Sequence, residues 1–134
     1  MRILIIDRDH ERRKTVEVAA QTRGYDVIVC DSLDSNGEAW TESTVDVAFI
    51  AADSGKWDQC TAVRGLPGGK ACLIVALADE QGAEAALTEG ADDFLAIPFS
   101  DQALKLKLFG AERRAGKSQQ NAARSAGAAR SERG

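Results

Sequence analysis

Short apolar runs recur along most of this chain: Ile3-Leu4-Ile5-Ile6, Val27-Ile28-Val29-Cys30, Val47-Ala48-Phe49-Ile50, Leu73-Ile74-Val75-Ala76-Leu77 and Phe94-Leu95-Ala96-Ile97. Successive side chains of a strand point to opposite faces, so a strand that is apolar at every position needs cover on both sides. That is the situation of a central parallel sheet with helices packed above and below it. The intervening stretches at about 10–23, 36–43, 57–65, 80–89 and 100–114 read as helices, which gives a (βα)5 chain. Asp9 and Ser100 stand where side-chain oxygens cap the first and last helices, and Gly24 and Gly90 stand just past helix ends. The helix at 36–43 is the weakest, because Asn36-Gly37 is turn chemistry. Leu104-Lys105-Leu106-Lys107-Leu108 alternates like a strand, but as a helix it puts Leu104 and Leu108 on one side and Leu106 with Phe109 on nearly the opposite one.

With 134 residues the chain has room for one core. Its apolar runs are far too short to span a membrane, and Met1-Arg2-Ile3 opens no signal-peptide core. A cytoplasmic protein with no membrane partner is therefore expected. Residues 110–134 hold six Lys/Arg against two Asp/Glu (+4), which leaves 11 basic and 19 acidic residues (−8) in 1–109. An acidic body disfavours direct binding of nucleic acid. The stretch after Phe109 has no large apolar residue and reads as a disordered tail or linker. Cys30, Cys60 and Cys72 form no C-x-x-C pair and the chain has one His, so the cysteines read as small buried hydrophobes rather than metal or disulfide partners.

In an open parallel sheet, chemistry gathers at the carboxyl ends of the strands. Ile3-Leu4-Ile5-Ile6-Asp7, Gly24-Tyr25-Asp26-Val27, Asp46-Val47-Ala48-Phe49-Ile50, Trp57-Asp58, Gly90-Ala91-Asp92-Asp93-Phe94-Leu95 and Pro98-Phe99 occur in an order and spacing that resembles the receiver domain of two-component response regulators. The resemblance covers residues 1–112, with 113–134 as the tail, and implies a flavodoxin-like α/β sandwich with strand order 2-1-3-4-5. It also implies a cis bond between Ile97 and Pro98. For the active site it implies two acidic groups after the first strand and a phosphoacceptor aspartate after the third, which together hold Mg²⁺ through hard oxygen ligands. A Ser/Thr after the fourth strand and a Lys before the fifth-strand Pro then hold the phosphoryl oxygens.

Position by position, this chain departs from that set. Asp7 matches the first acidic position, but the second falls on Arg8. The phosphoacceptor position falls on Ala51, the Ser/Thr position on Leu77 (or Ala76 if the loop before Gly90 is placed differently) and the Lys position on Ile97. The aromatic switch position falls on Phe94, which has no hydroxyl. Asp7 then reads as half of a local ion pair, beside Arg8, or as a helix-start anion, with residual metal ligation the alternative. Gly68-Gly69-Lys70 fails as a phosphate loop, since Arg64 stands where the first Gly should be and Ala71 follows the Lys. His10 reads as solvated, and Trp40 and Trp57 as partial covers over helix edges.

Two functions follow from the resemblance. The first is a non-enzymatic, phosphorylation-independent receiver-like module of a phosphorelay, without cofactor. It would act by contact with a protein such as a histidine kinase or output domain, and Leu106 and Phe109 offer a surface for a weak homodimer. The alternative is a phosphoacceptor using Asp53 with Mg²⁺, since a two-residue slip keeps the strand face; against it, the slip breaks the match at Trp57-Asp58.

Overall fold

A computed structural model describes residues 1–32, 45–52, 57–66 and 68–114. The expected helix at 36–43, Trp40, Asp53 and the tail from 115 onward lie outside the described residues. In chain order the elements are β1 (Arg2–Ile6), α1 (His10–Thr22), β2 (Asp26–Cys30), β3 (Val47–Ala51), α2 (Asp58–Arg64), β4 (Leu73–Ala78), α3 (Glu80–Thr88), β5 (Asp93–Ala96) and α4 (residues 101–114). The strands form one parallel sheet in the order β2-β1-β3-β4-β5, the doubly wound arrangement expected from the apolar runs and the resemblance.

Alternation along the strands divides the interior in two. Leu4, Ile6, Ala48, Ile50, Ile74 and Ala76 meet Cys60 and Val63 of α2 and Ala83 and Ala86 of α3. Ile3, Ile5, Phe49, Val75, Leu77 and Leu95 meet Val16 and Ala20 of α1 and Leu104 and Leu108 of α4. The alternating leucines are thus helical, as tertiary context requires: Leu104 and Leu108 are buried, while Leu106 and Phe109 are 61% and 53% exposed. Trp57 is a buried core residue at the start of α2, not a partial cover. All three cysteines are buried, and desolvation pushes their thiols up, Cys30 and Cys60 to about 11 and Cys72 to about 12.

Helix ends follow the local chemistry. Asp9 Oδ1 accepts from Arg12 N, and Ser100 Oγ accepts from Ala103 N. Gly24 and Gly90 take positive φ just past α1 and α3, where a side chain would be strained. The Ile97–Pro98 bond is cis.

At the amino end of the sheet, one side chain gathers the connections. Arg64, the last residue of α2, donates through Nη1 to the carbonyls of Gly69 at 2.9 Å and Cys72 at 2.5 Å. Through Nη2 it donates to the Gly90 carbonyl at 2.9 Å and to Asp92 Oδ2 at 2.7 Å, and that carboxylate oxygen also accepts from Ile74 N. Gly69 fits because a Cβ there would lie 2.0 Å from the Val63 carbonyl oxygen. The Gly-Gly-Lys stretch is therefore a backbone turn wrapped on Arg64. Arg64→Ala is expected to lower stability by about 2 to 4 kcal/mol, since it strips partly buried carbonyls and Asp92 of their donor. Urea unfolding checks this, and Arg64→Lys should recover only part of the loss because an ammonium lacks the planar fork.

Candidate functional site

Parallel strands deliver their carboxyl ends to one edge, so Asp7 after β1, Ala51 at the end of β3, Leu77 in β4 and Ile97 after β5 converge there. Ala51 pairs in register with Leu77, and Leu77 with Leu95. Ala51 and Leu77 are buried in a single apolar cluster, and the half-buried Ile97 and Phe99 pack against it. The resemblance implies a phosphoacceptor, a hydroxyl and an ammonium at these positions. Instead the chain puts a methyl group and two branched hydrocarbons side by side, which can neither attack nor neutralise a phosphoryl group.

Asp7 is 1% exposed, and its carboxylate is fully engaged. Arg12 Nε donates to Oδ2 at 2.6 Å and Arg12 Nη2 to Oδ1 at 2.8 Å, a two-point ion pair; Asp9 N also donates to Oδ1, at 2.9 Å. The ion-pair reading of Asp7 thus holds with a different partner, Arg12, in the first turn of α1, rather than the adjacent Arg8. The sequence signal lay in the five-residue step from Asp7 to Arg12, which a first-turn cap at Asp9 folds back over the strand end. The hydrogen-bonded Asp7 carboxylate raises the Arg12 guanidinium above its ordinary pKa. Nearby, Arg13 Nη1 donates to the Asp7 carbonyl at 3.3 Å and to Asp31 Oδ1 at 2.7 Å.

This donor set does not fit a divalent cation. One carboxylate is present where the resemblance implies two, that carboxylate is already bound by a guanidinium, and Ala51 offers no side-chain oxygen. Among the described residues no group of three or more His, Cys, Asp or Glu is placed to hold a metal ion.

Above the strand ends lies an open depression of about 650 Å³, lined by residues that include Asp9, Glu11, Arg12, Asp79, Ile97 and Asp101. Two of its carboxylates serve the backbone: Asp9 caps α1, and Asp79 caps α3 by accepting from Gly82 N at 2.7 Å. A larger groove of about 840 Å³ runs between α1 and α4, and His10 lies on its wall. Phe94, where the resemblance implies the aromatic switch, is half-buried against the other core face, with Lys107 Nζ 5.9 Å from its ring centroid and bound to Asp93 at 2.9 Å. Leu106 and Phe109 do not join the strand-end site; they stand on the outer side of α4.

No protein-family profile matches the sequence, and no curated protein matches it. Solved structures do match. A two-component response regulator from Clostridium difficile superposes with a TM-score of 0.71 at 23% identity, covering 85% of this chain and 97% of that one. The receiver domain of sensor histidine kinase PA1611 from Pseudomonas aeruginosa, with magnesium in its active-site cleft, gives 0.69 at 21% identity, covering 86% and 97%. NtrX from Brucella abortus gives 0.75 at 18% identity over 90% of this chain and 28% of its own. The fold is that of response regulator receiver domains.

The hydrogen bond from Arg12 N to Asp9 holds the Asp9 carboxyl below its usual value of 3.8. The cap's contribution is therefore complete above that value and lost as pH falls through the lowered one. Asn caps without titrating, so the midpoints of wild type and Asp9→Asn should run parallel above about pH 4 and approach or cross only below it. Thermal melts across that range check the sign.

Proposed function

We propose that this chain is a receiver-like signalling module of a two-component phosphorelay that works by protein contact, without phosphorylation and without Mg²⁺. The apolar joining of Ala51, Leu77 and Ile97 at the strand ends carries this reading, because it takes the nucleophile and both phosphoryl-binding groups away together. The receiver fold supports the signalling context. The module is not an enzyme in this reading, and its partner is a protein such as a histidine kinase or an attached output domain. The NtrX match supports the second of these, since there the matching fold is a minor part of a longer chain. Among the described residues no helix is long and apolar enough to cross a membrane, which agrees with a cytoplasmic setting.

Information then has to pass through surface. Leu106 and Phe109 project from α4 beside β5, the edge of the sheet. Burying two such side chains is worth roughly 3 to 6 kcal/mol before the cost of association, enough for a weak homodimer or a docked neighbouring helix.

Incubation with acetyl phosphate and Mg²⁺ should leave the intact mass unchanged. An acid-labile, stoichiometric phosphoryl adduct that disappears in Asp53→Ala would replace the proposal with a phosphoacceptor reading. Light scattering over a concentration series tests the surface: Leu106→Glu is expected to abolish self-association while hardly moving the thermal midpoint. A wild type still monomeric at several hundred micromolar would remove the dimer and leave only a heterologous partner.

A further inference from the structure

The pairing of Asp7 with Arg12 supports an inference that rests on the contact reading and deepens it. A carboxylate that is 1% exposed needs a cation or a neutralising proton. In the phosphorylatable arrangement implied by the resemblance, that cation is Mg²⁺. Here both oxygens are held by one guanidinium, at 2.6 and 2.8 Å, and the arginine side chain is 25% exposed, so the cation and not the carboxylate faces the depression. A guanidinium keeps its charge at every physiological pH, and its planar fork matches a carboxylate at two points. Being covalently attached, it is present at a fixed ratio whatever the ionic composition.

We propose that Arg12 is the built-in cation of this pocket: it gives Asp7 the charge compensation otherwise supplied by a divalent ion and thereby closes Asp7 to metal. The pocket is then locked in one charge state, insensitive to Mg²⁺. Arg8, at the position of the second acid, is a separate departure from the metal-binding pattern, and Arg12 on its own suffices to exclude the ion.

Restoring the second acid separates these two effects. Mn²⁺ serves as the probe, with the free ion read by electron paramagnetic resonance. Wild type and Arg8→Asp should both leave Mn²⁺ free at millimolar concentration. Arg8→Asp with Arg12→Met, which keeps the apolar stem, should bind at least about tenfold more tightly. Adding Asp7→Asn should abolish that gain. Equal binding by Arg8→Asp with and without Arg12→Met would overturn the proposal, as would tight binding by wild type that is lost in Asp7→Asn. If the doubly substituted chain needs metal to fold, recovery of its native circular dichroism on adding Mn²⁺ counts as binding, and failure to recover overturns the idea. Phosphoryl uptake through Asp53 would refute the contact reading and leave the Mn²⁺ comparison to decide this one.

Discussion

Both faces of β3 are sealed, with every residue from Val47 to Ala51 buried, and supplying that two-sided cover is the task of the surrounding helices. Odd positions feed the layer under α1 and α4 and even positions the layer under α2 and α3, so no strand residue can change its character without one layer registering it. The same constraint makes the strands parallel. It thereby sends every strand end that could carry chemistry to one edge and every loop that only returns the chain to the other.

Two arginines dominate the two edges in complementary ways. At the amino edge, Arg64 ties the turn before β4 to the turn before β5 through carbonyls and Asp92. At the carboxyl edge, Arg12 satisfies the buried carboxylate of Asp7. In each case a planar fork completes hydrogen bonding that backbone geometry alone leaves open. The receiver fold is thus braced at its carboxyl edge by the same kind of interaction that braces the opposite edge.

Most of the architecture was legible in the sequence because it rests on periodicity and caps. The unbroken apolar runs marked the strands, Asp9 and Ser100 the helix starts, and Gly24 and Gly90 the helix ends. The split of α4 into Leu104 and Leu108 inside, Leu106 and Phe109 outside, follows from helical spacing once tertiary context overrules the local alternation. Ala51, Leu77 and Ile97 were singled out by register with a known pattern, and β pairing brings the first two opposite each other. Less legible were contacts made by long flexible side chains. Arg12, not the neighbouring Arg8, pairs with Asp7, and Arg64 reaches carbonyls up to 26 residues away. Trp57 was underrated because a lone Trp in a polar stretch gives no period, and only the packing of α2 on the sheet reveals that it is core.

The hydrocarbon plug at the strand ends has a consequence for how such a chain could change over generations. Ala51→Asp alone would set a charge against Leu77, its partner in β4, at a position 9% exposed and at a cost of several kcal/mol. Leu77→Thr first would place a hydroxyl inside that buried cluster, whereas Ile97→Lys would put an ammonium on the rim of the depression that Asp9, Asp79 and Asp101 also line. In the proposed reading, the two buried steps towards phosphoryl chemistry, Ala51→Asp and Leu77→Thr, each lower stability when taken alone. The plug then behaves as a ratchet, its closed state held by the packing of its neighbours.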